Sequence, residues 1–118
     1  MVSFFTSLVL VFGLAMPATT FADTIAMIGT GSVGSALGPR FASIGHQIVY
    51  GSRSPDSEKV MALVEATGNG ASATTPAAAA RQADIVVLAL PWAVAEEVTI
   101  GLGDLSGKII IDPINPRI

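Results

Sequence analysis

From Thr24 onward, short apolar runs alternate with segments in which apolar residues recur every three or four positions. The runs have the form of buried strands, and the recurring positions have the period of helices. The five predicted strands lie in TIAMIG, HQIVYG, NGASATT, DIVVLAL and GKIIID, of which the third is the weakest. Strands that alternate with helices indicate an α/β fold, with helices on both faces of a parallel sheet. We predict a doubly wound, three-layer αβα arrangement with strand order 3-2-1-4-5.

The first predicted helix lies in SVGSALGPRFASIG and ends at Gly45. Apolar residues at spacings of three and four give this helix one apolar face. The face consists of Val33, Leu37, Phe41 and Ile44. Because proline has no amide hydrogen and clashes with the preceding turn, Pro39 predicts a kink or a turn within this helix, unless it lies within the first two turns.

Capping residues predict the ends of two later helices. In SPDSEKVMALVEATG, Ser54 is the expected cap, Pro55 the first helical residue and Gly68 the stop. In TPAAAARQA, Thr75 is the expected cap and Pro76 the first helical residue. Both helices therefore begin shortly after a predicted strand, as the connections of an α/β fold require.

The first 22 residues follow a different pattern, because the chain is predominantly apolar from Phe4 to Met16. This run of about 13 residues is shorter than the roughly 20 that a spanning helix needs, so no stable membrane span is expected. The run is typical of a signal peptide, with Thr20 at −3 and Ala22 at −1 of the cleavage site. We predict a signal peptide over residues 1–22 and a domain over residues 23–118. The alternatives are an uncleaved extension and a mis-set start codon.

Cleavage of this leader would make the protein secreted or periplasmic, and without cleavage the protein is expected to be cytoplasmic. The length of 118 residues suits one domain at most. Hydrophobic residues make up 51% of the chain and charged residues 13%, which is enough apolar material for a core. A net charge of −3 with no clustered basic face argues against a nucleic-acid partner.

The chain offers few residues for metal or acid–base chemistry. It contains no cysteine, and His46 is its single histidine, so thiolate and multi-histidine metal sites are excluded. Glu96 and Glu97 are expected on the solvated face of a helix rather than as a catalytic pair. We therefore predict no metal ligand and no catalytic acid or base.

The strongest motif is GTGSVG, from Gly29 to Gly34, which fits G-x-G-x-x-G between a predicted strand and a predicted helix. In this context Gly29 permits the tight turn, Gly31 lets the backbone approach a pyrophosphate, and Gly34 allows close packing of the helix. The amides near Ser32 and Val33 would face the diphosphate. The motif predicts a Rossmann-like NAD(P)-binding domain. The alternative is a turn that needs its glycines for packing alone.

The stretch VYGSRSP occupies the position where a dinucleotide-binding fold usually has an acid that binds the ribose hydroxyl. Instead of an acid, Ser52 and Arg53 stand there, followed by Ser54. An acid would repel a 2′-phosphate, whereas arginine offers it a planar fork of donors and the serines offer hydroxyl donors. The pattern favours NADP over NAD. The alternative is an arginine in a solvated loop with no ligand.

These stretches, with ADIVVLALPW and KIIIDPINP, resemble the NADP oxidoreductases that use the deazaflavin coenzyme F-420. The resemblance covers essentially all of residues 23–118. It implies that Thr30 to Val33 contact the diphosphate, and that Ser52 and Arg53 contact the 2′-phosphate. It also implies that LPW lines the adenosine side and that Asn115 approaches the nicotinamide. The predicted cofactor-binding residues are Gly29, Thr30, Gly31, Ser32, Val33, Gly34, Ser52, Arg53, Leu90, Pro91, Trp92 and Asn115.

The resemblance implies an enzyme that transfers a hydride between NADP(H) and a deazaflavin-type acceptor. Members of that family continue well beyond the fifth strand, so this chain is expected to lack the C-terminal part and to represent the cofactor-binding half. A homodimer, or a partner that supplies the missing substrate region, would then be needed. Two alternatives stay open: a non-catalytic NADP-binding module or sensor, and a fragment of a dehydrogenase similar to pyrroline-carboxylate reductase.

Overall fold

The computed structural model describes residues 21–116, which form one parallel sheet covered by helices. The predicted signal peptide lies outside the described residues, apart from its last two positions. The elements are β1 (Thr24–Ile28), α1 (Ser32–Ser43), β2 (Gln47–Gly51), α2 (Glu58–Thr67), β3 (Ser72–Thr74), α3 (Pro76–Gln82), β4 (Ile85–Leu88), α4 (Trp92–Gly101) and β5 (Ile109–Ile111). The sheet order is β3-β2-β1-β4-β5 with every pairing parallel, which confirms the predicted fold class and strand order.

Alternate residues of the central strands face opposite sides of the sheet, and each side has its own apolar core. On one side, Ala26 and Ile28 of β1 pack with Ala79 and Ala80 of α3 and with Val98 of α4. The other core contains Ile25, Met27, Ile48 and Tyr50 with parts of α1 and α2. This alternation follows from the two-residue period of a strand. Because both faces are covered, the architecture is the predicted three-layer αβα arrangement.

The buried face of α1 agrees only in part with the predicted one, since Leu37 and Phe41 pack against the core as expected. Val33 and Ile44 were expected in the core but are 44% and 70% exposed. The buried residues of α1 are Gly34, Gly38 and Ala42. A Cβ at Gly38 would overlap the Tyr50 side chain, so the small residues let α1 lie close against the sheet. The prediction assumed that the most hydrophobic residues of the helix face the sheet. Because α1 lies very close to the sheet, its smallest residues occupy the most buried positions instead.

The turn predicted at Pro39 is not formed, because α1 continues without interruption from Ser32 to Ser43. Pro39 comes after two turns of this helix, so it removes one backbone hydrogen bond from the ladder. The helix packs against β1, β2 and α2. Tertiary contacts therefore outweigh the local preference of proline.

The cap of α2 is Ser57, and the predictions of Ser54 as the cap and Pro55 as the first helical residue are wrong. The Ser57 hydroxyl accepts a hydrogen bond from the amide of Val60 at 3.3 Å, and Glu58 is the first helical residue. Ser54 instead begins a turn in which its carbonyl accepts from the Ser57 amide at 3.1 Å. Two serines precede the helix, and the one followed directly by an acid in the first turn is the cap.

The other predicted helix ends are confirmed. Gly68 ends α2 with a positive φ of 64°, and Thr75 caps α3 by accepting from the Ala78 amide at 3.4 Å. Pro76 is the first residue of α3. A Cβ at Gly51 would come within 2.9 Å of the Pro76 Cα, so the end of β2 is pressed against the start of α3. This contact holds the segment after β2 at one edge of the sheet.

The last strand, β5, lies at the edge of the sheet beside β4. Its three isoleucines are 61%, 41% and 39% exposed, in chain order, so neither face of this strand is well covered. The side-chain amine of Lys108 donates to the Ala83 carbonyl at 2.6 Å and fixes the start of β5. Among residues 21–116, no helix is long and apolar enough to cross a membrane.

Candidate functional site

A cleft of about 590 Å³ opens at the carboxyl ends of the parallel strands. It lies at the switch point of the sheet. From the central strand β1 the chain continues to β2 on one side, whereas β4 pairs with β1 on the other side. The cleft is lined by Ile28, Gly29, Thr30, Gly31, Ser32, Val33, Gly51, Ser52, Arg53, Ser54, Pro76, Leu88, Ala89, Leu90, Pro91, Val94, Val98, Pro113, Ile114 and Asn115. Crevices of this kind at this position are where open α/β sheets bind their ligands.

Two glycines of the loop after β1 are required by the protein's own packing. Gly29 has a φ of +109°, and a Cβ there would overlap the Ala89 carbonyl. A Cβ at Gly34 would overlap the Gly29 carbonyl. Gly34 is buried and packs behind the cleft rather than lining it. These two positions therefore shape the turn and bring α1 close to β1.

Gly31 differs from its two neighbours in the motif. Its φ is −78°, which any residue adopts, and a Cβ at this position would have no neighbour within 4 Å. Neither backbone conformation nor packing in the described residues therefore requires a glycine here. The space that a side chain would fill belongs to the cleft. A ligand that approaches the backbone closely would explain this glycine.

The first turn of α1 presents unpaired amides to the cleft. The first helical hydrogen bond runs from the Ser35 amide to the Gly31 carbonyl at 2.9 Å, so the amides of Ser32, Val33 and Gly34 have no acceptor within the helix. Gly31 caps the helix without a side chain, and the first turn contains no acid. Together with the helix dipole, these amides form a site suited to an anion.

Ser52 and Arg53 follow directly after β2 and line the cleft. The Ser52 amide donates to the Thr74 carbonyl at 2.9 Å, which continues the pairing of β2 with β3. The Ser52 hydroxyl accepts from the Ser54 amide at 3.0 Å, so its own hydrogen is free to donate. Arg53 is exposed, and it is the one charged side chain among the lining residues. This corner of the cleft is suited to a dianionic group.

The segment after β4 lines the cleft with Leu90 and Pro91, but not with Trp92. Trp92 is the first residue of α4 and is 60% exposed, so the structure places it outside the site where the resemblance put it. Val94 and Val98, one helical turn apart, line the cleft instead. Their i, i+4 spacing in a helix after β4 is the signal that sequence reasoning could have used.

The segment after β5 closes the other end of the cleft with Pro113, Ile114 and Asn115. The Asp112 carboxylate accepts from the Ile114 amide at 2.9 Å and so holds this turn. The Asn115 side chain adds an amide, with both donors and an acceptor, to the cleft. Within residues 21–116, no group of His, Asp and Glu side chains is placed to hold a metal ion.

The strand order, the glycine loop and the crevice at the switch point define a dinucleotide-binding domain of the Rossmann class. Residues 24–116 match the family described as coenzyme F420-dependent NADP oxidoreductase. The chain belongs to that family. The predicted family is thereby confirmed.

Solved structures show the same fold. A protein from Arthrobacter sp. FB24, described as an F420-dependent NADP reductase, is 27% identical with a TM-score of 0.72, over 80% of this chain and 46% of that chain. A reductive aminase from Aspergillus terreus, in complex with NADPH and ethyl-5-oxohexanoate, is 28% identical with a TM-score of 0.65, over 82% of this chain and 33% of that chain. The Plasmodium falciparum pyrroline carboxylate reductase with NADP bound, at 22% identity and a TM-score of 0.59, shares the fold. The chain therefore spans less than half the length of these proteins.

Proposed function

We propose that this chain binds NADP in the cleft and serves as the cofactor-binding part of an oxidoreductase. In this reaction a hydride passes between NADP(H) and a deazaflavin-type acceptor. The observation that carries the proposal is Arg53, a lone charged side chain in a cleft whose lining has no acid at the end of β2. An arginine there selects the 2′-phosphate that NAD does not have. The description of the family and the NADPH held by the Aspergillus aminase support this assignment.

The residues of the cleft fit the parts of the cofactor in order. The free amides of Ser32 and Val33 would bind the diphosphate, and Gly31 would allow it to approach the backbone. Ser52 and Arg53 would bind the 2′-phosphate. The remaining end of the cleft, at Asn115, would then hold the nicotinamide.

When bound, the nicotinamide supplies or accepts the hydride, so the protein has to hold and orient the ring rather than provide an acid or base. The turn held by Asp112 positions the Asn115 amide at that end of the cleft. Leu88, Ala89 and Ile114 add an apolar lining to the cleft, against which a ring could pack. These residues define one wall of a hydride-transfer site.

Two measurements on the full chain test this function. Calorimetric titration should give a clear preference for NADP over NAD. An assay with NADPH and the deazaflavin coenzyme should show hydride transfer when a partner chain supplies the rest of the substrate site, and none with the chain alone. Equal affinity for the two dinucleotides, or no binding of either, would contradict the NADP assignment. Binding of NADP with transfer to other acceptors, but none to the deazaflavin, would contradict the acceptor alone.

A non-catalytic NADP-binding module is the second candidate. The chain covers 46% of the Arthrobacter protein, and the lining of its cleft contains no ionisable side chain apart from Arg53. A module of this kind would bind NADP with the same preference but would not oxidise NADPH, with or without a second chain. Restoration of NADPH oxidation by an added partner would favour the partner-dependent enzyme, and binding without any turnover would favour the module.

For the cellular location, we propose export with cleavage after Ala22. The first strand begins at Thr24, so all nine described elements would remain in the mature chain. One described backbone bond would be lost, from the Ala22 amide to the Gly45 carbonyl.

A further inference from the structure

The chain contains two asparagines, which differ in the residue that follows each of them. Asn69 precedes Gly70 in the connection between α2 and β3, whereas Asn115 precedes Pro116. Glycine has no side chain to shield its amide nitrogen, so this nitrogen can reach the carboxamide of a preceding asparagine. Proline has no amide hydrogen, so its nitrogen cannot react in this way. The two carboxamides therefore differ in the neighbour that allows an internal attack.

Asn69 and Gly70 form the centre of an exposed tight turn. Their φ angles are 52° and 76°, and the Ala71 amide donates to the Gly68 carbonyl at 3.0 Å across the turn. A turn with two successive positive φ angles favours asparagine followed by glycine. Among the described hydrogen bonds, none has the Gly70 amide as its donor. No described bond therefore has to break at this nitrogen before it reacts.

The Asn69 side chain ties this turn to the connection between α1 and β2. Its Nδ2 atom donates to the His46 carbonyl at 3.1 Å and to the Ala42 carbonyl at 3.4 Å. The Gly70 carbonyl accepts from Gln47 Nε2 at 3.3 Å, which joins the turn to the start of β2 as well. The carboxamide that lies beside a reactive nitrogen is thus also the group that holds the two connections together.

We propose that Asn69 is a site of spontaneous deamidation, which the fold slows and which releases the turn before β3 once it has occurred. The Gly70 nitrogen gives its proton to hydroxide and attacks the side-chain carbonyl carbon of Asn69. The new C–N bond closes a five-membered imide, and the bond from this carbon to Nδ2 breaks. Nδ2 takes protons from water and leaves as ammonia. Water then opens the imide at either carbonyl, which gives aspartate or isoaspartate.

The hydrogen bonds of Nδ2 oppose this reaction in the folded chain. The side-chain carbonyl carbon has to reach the Gly70 nitrogen, while Nδ2 is bonded to two carbonyls of another connection. Both hydrogen bonds have to break before Nδ2 can leave. We expect deamidation to be about tenfold slower in the folded chain than in the chain unfolded by urea. The rate should rise with pH in both states, because the attacking nitrogen must lose its proton.

The product cannot restore the lost hydrogen bonds. An ionised carboxylate accepts hydrogen bonds and donates none, so at residue 69 it would face the carbonyls of Ala42 and His46 without a hydrogen to share. Aspartate adopts a positive φ more readily than most residues, so the backbone of the turn can stay as it is. The loss of stability should therefore come from the side chain.

Two variants measure this loss by urea denaturation. Asn69→Asp reproduces the aspartate product and should raise the equilibrium constant for unfolding about tenfold. Asn69→Gly is the matched control, because it keeps a residue that favours positive φ and removes the donor without adding a charge. The constant should rise less in Asn69→Gly than in Asn69→Asp. If Asn69→Asp does not fold, deamidated wild-type chain separated by ion exchange gives the same comparison.

The reaction itself is followed in the full wild-type chain at mildly alkaline pH, folded and in urea. Peptide mapping by mass spectrometry measures the conversion of amide to acid separately at Asn69 and at Asn115, which serves as the internal control. We expect conversion at Asn69 alone, with isoaspartate among the products because direct hydrolysis gives aspartate only. The conversion should be about tenfold faster in urea.

Several results would overturn the proposal. An Asn69 that stays intact in both states, or that reacts no faster than Asn115, would exclude the site. Aspartate without isoaspartate would exclude the attack by Gly70. Equal rates in the folded and unfolded chain would show that the hydrogen bonds of Nδ2 do not protect the carboxamide. Unchanged stability of Asn69→Asp would show that the side chain does not hold the turn. None of these measurements depends on NADP binding.

Discussion

At the scale of single residues, Arg53 is expected to decide which dinucleotide binds. One charge-assisted contact to the 2′-phosphate contributes about 1.5–3 kcal/mol, which corresponds to roughly 10- to 100-fold in affinity. Arg53→Ala should remove most of the preference for NADP and leave the affinity for NAD nearly unchanged. Arg53→Asp should go further, because its carboxylate repels the phosphate and can accept from the ribose hydroxyls. Titration of both cofactors at fixed low salt measures this.

Arg81→Ala is the control for Arg53, because Arg81 is exposed and does not line the cleft. It changes the net charge by the same amount, so a loss shared by both variants would report general attraction of an anion. Equal losses of NADP and NAD affinity in Arg53→Ala would likewise show that Arg53 supports folding or general attraction. The assignment of NADP would then fail.

Two glycines of the same loop should separate binding from folding. Gly31→Ala adds a methyl group that has no protein neighbour, so we expect the free energy of unfolding to change by about 1 kcal/mol or less. The methyl group would fill the space proposed for the diphosphate, so NADP affinity should fall at least about tenfold. Gly34→Ala should instead destabilise the fold by about 1–3 kcal/mol or more, because its methyl group meets the Gly29 carbonyl.

Urea denaturation gives the free energy of unfolding of each glycine variant, and calorimetric titration gives the affinity of each for NADP. A Gly31→Ala protein that binds NADP as the wild type does would contradict close approach of the diphosphate at this residue. A Gly34→Ala protein of unchanged stability would contradict the packing role of Gly34.

At the scale of elements, the position of the α2 cap is open to a direct test. Ser57→Ala removes the acceptor for the Val60 amide and should cost about 1 kcal/mol of stability. Ser54→Ala leaves that hydrogen bond in place and should stay within about 0.5 kcal/mol of the wild type. Urea denaturation of both variants measures the difference. A larger loss of stability in Ser54→Ala than in Ser57→Ala would show that Ser54 is the cap, as the sequence predicted.

The elements also show how far sequence reasoning reaches. The strands, their order and the caps at Thr75 and Gly68 were predictable, because apolar runs and capping residues are local signals. The buried face of α1 was not, because close packing against Tyr50 selects small residues over apolar ones. The position of Trp92 could not be predicted either. The LPW motif shows that a helix begins after β4, but not which side of α4 faces the cleft.

At the scale of the whole molecule, the main features of the cleft followed from the topology. Once the strand order is known, the residues after β1, β2, β4 and β5 meet at one edge of the sheet. Ten of the twelve predicted cofactor residues line the cleft, the exceptions being Gly34 and Trp92. A smaller groove of about 280 Å³ between α3 and α4 could not be predicted, because it depends on the distance between these two helices. That distance is set by packing rather than by any local pattern.

Processing of the chain is a prediction about the mature molecule. If the leader is a signal peptide, the exported protein should begin at Asp23, since Thr20 and Ala22 suit the peptidase. The carbonyl of Asp23 accepts from the Gln47 amide at 2.9 Å, so the mature terminus would still be joined to β2. Intact-mass measurement of exported protein decides the point. A product that retains Met1 would reject cleavage.

Association is the last prediction, and it follows from the exposed edge of the sheet. Parallel sheets are normally covered on both faces, yet Ile109, Ile110 and Ile111 of β5 are exposed. Within residues 21–116, one edge of this strand has no neighbouring strand. We expect the chain alone to self-associate and to show no NADPH-dependent reduction of the deazaflavin. Ile110→Lys should shift the sedimentation profile toward the monomer, because a charge on an edge strand opposes pairing. Ile100→Lys, on α4 and 73% exposed, should leave association unchanged. A monodisperse wild-type monomer with steady turnover would show that the described domain needs neither a second copy nor a partner.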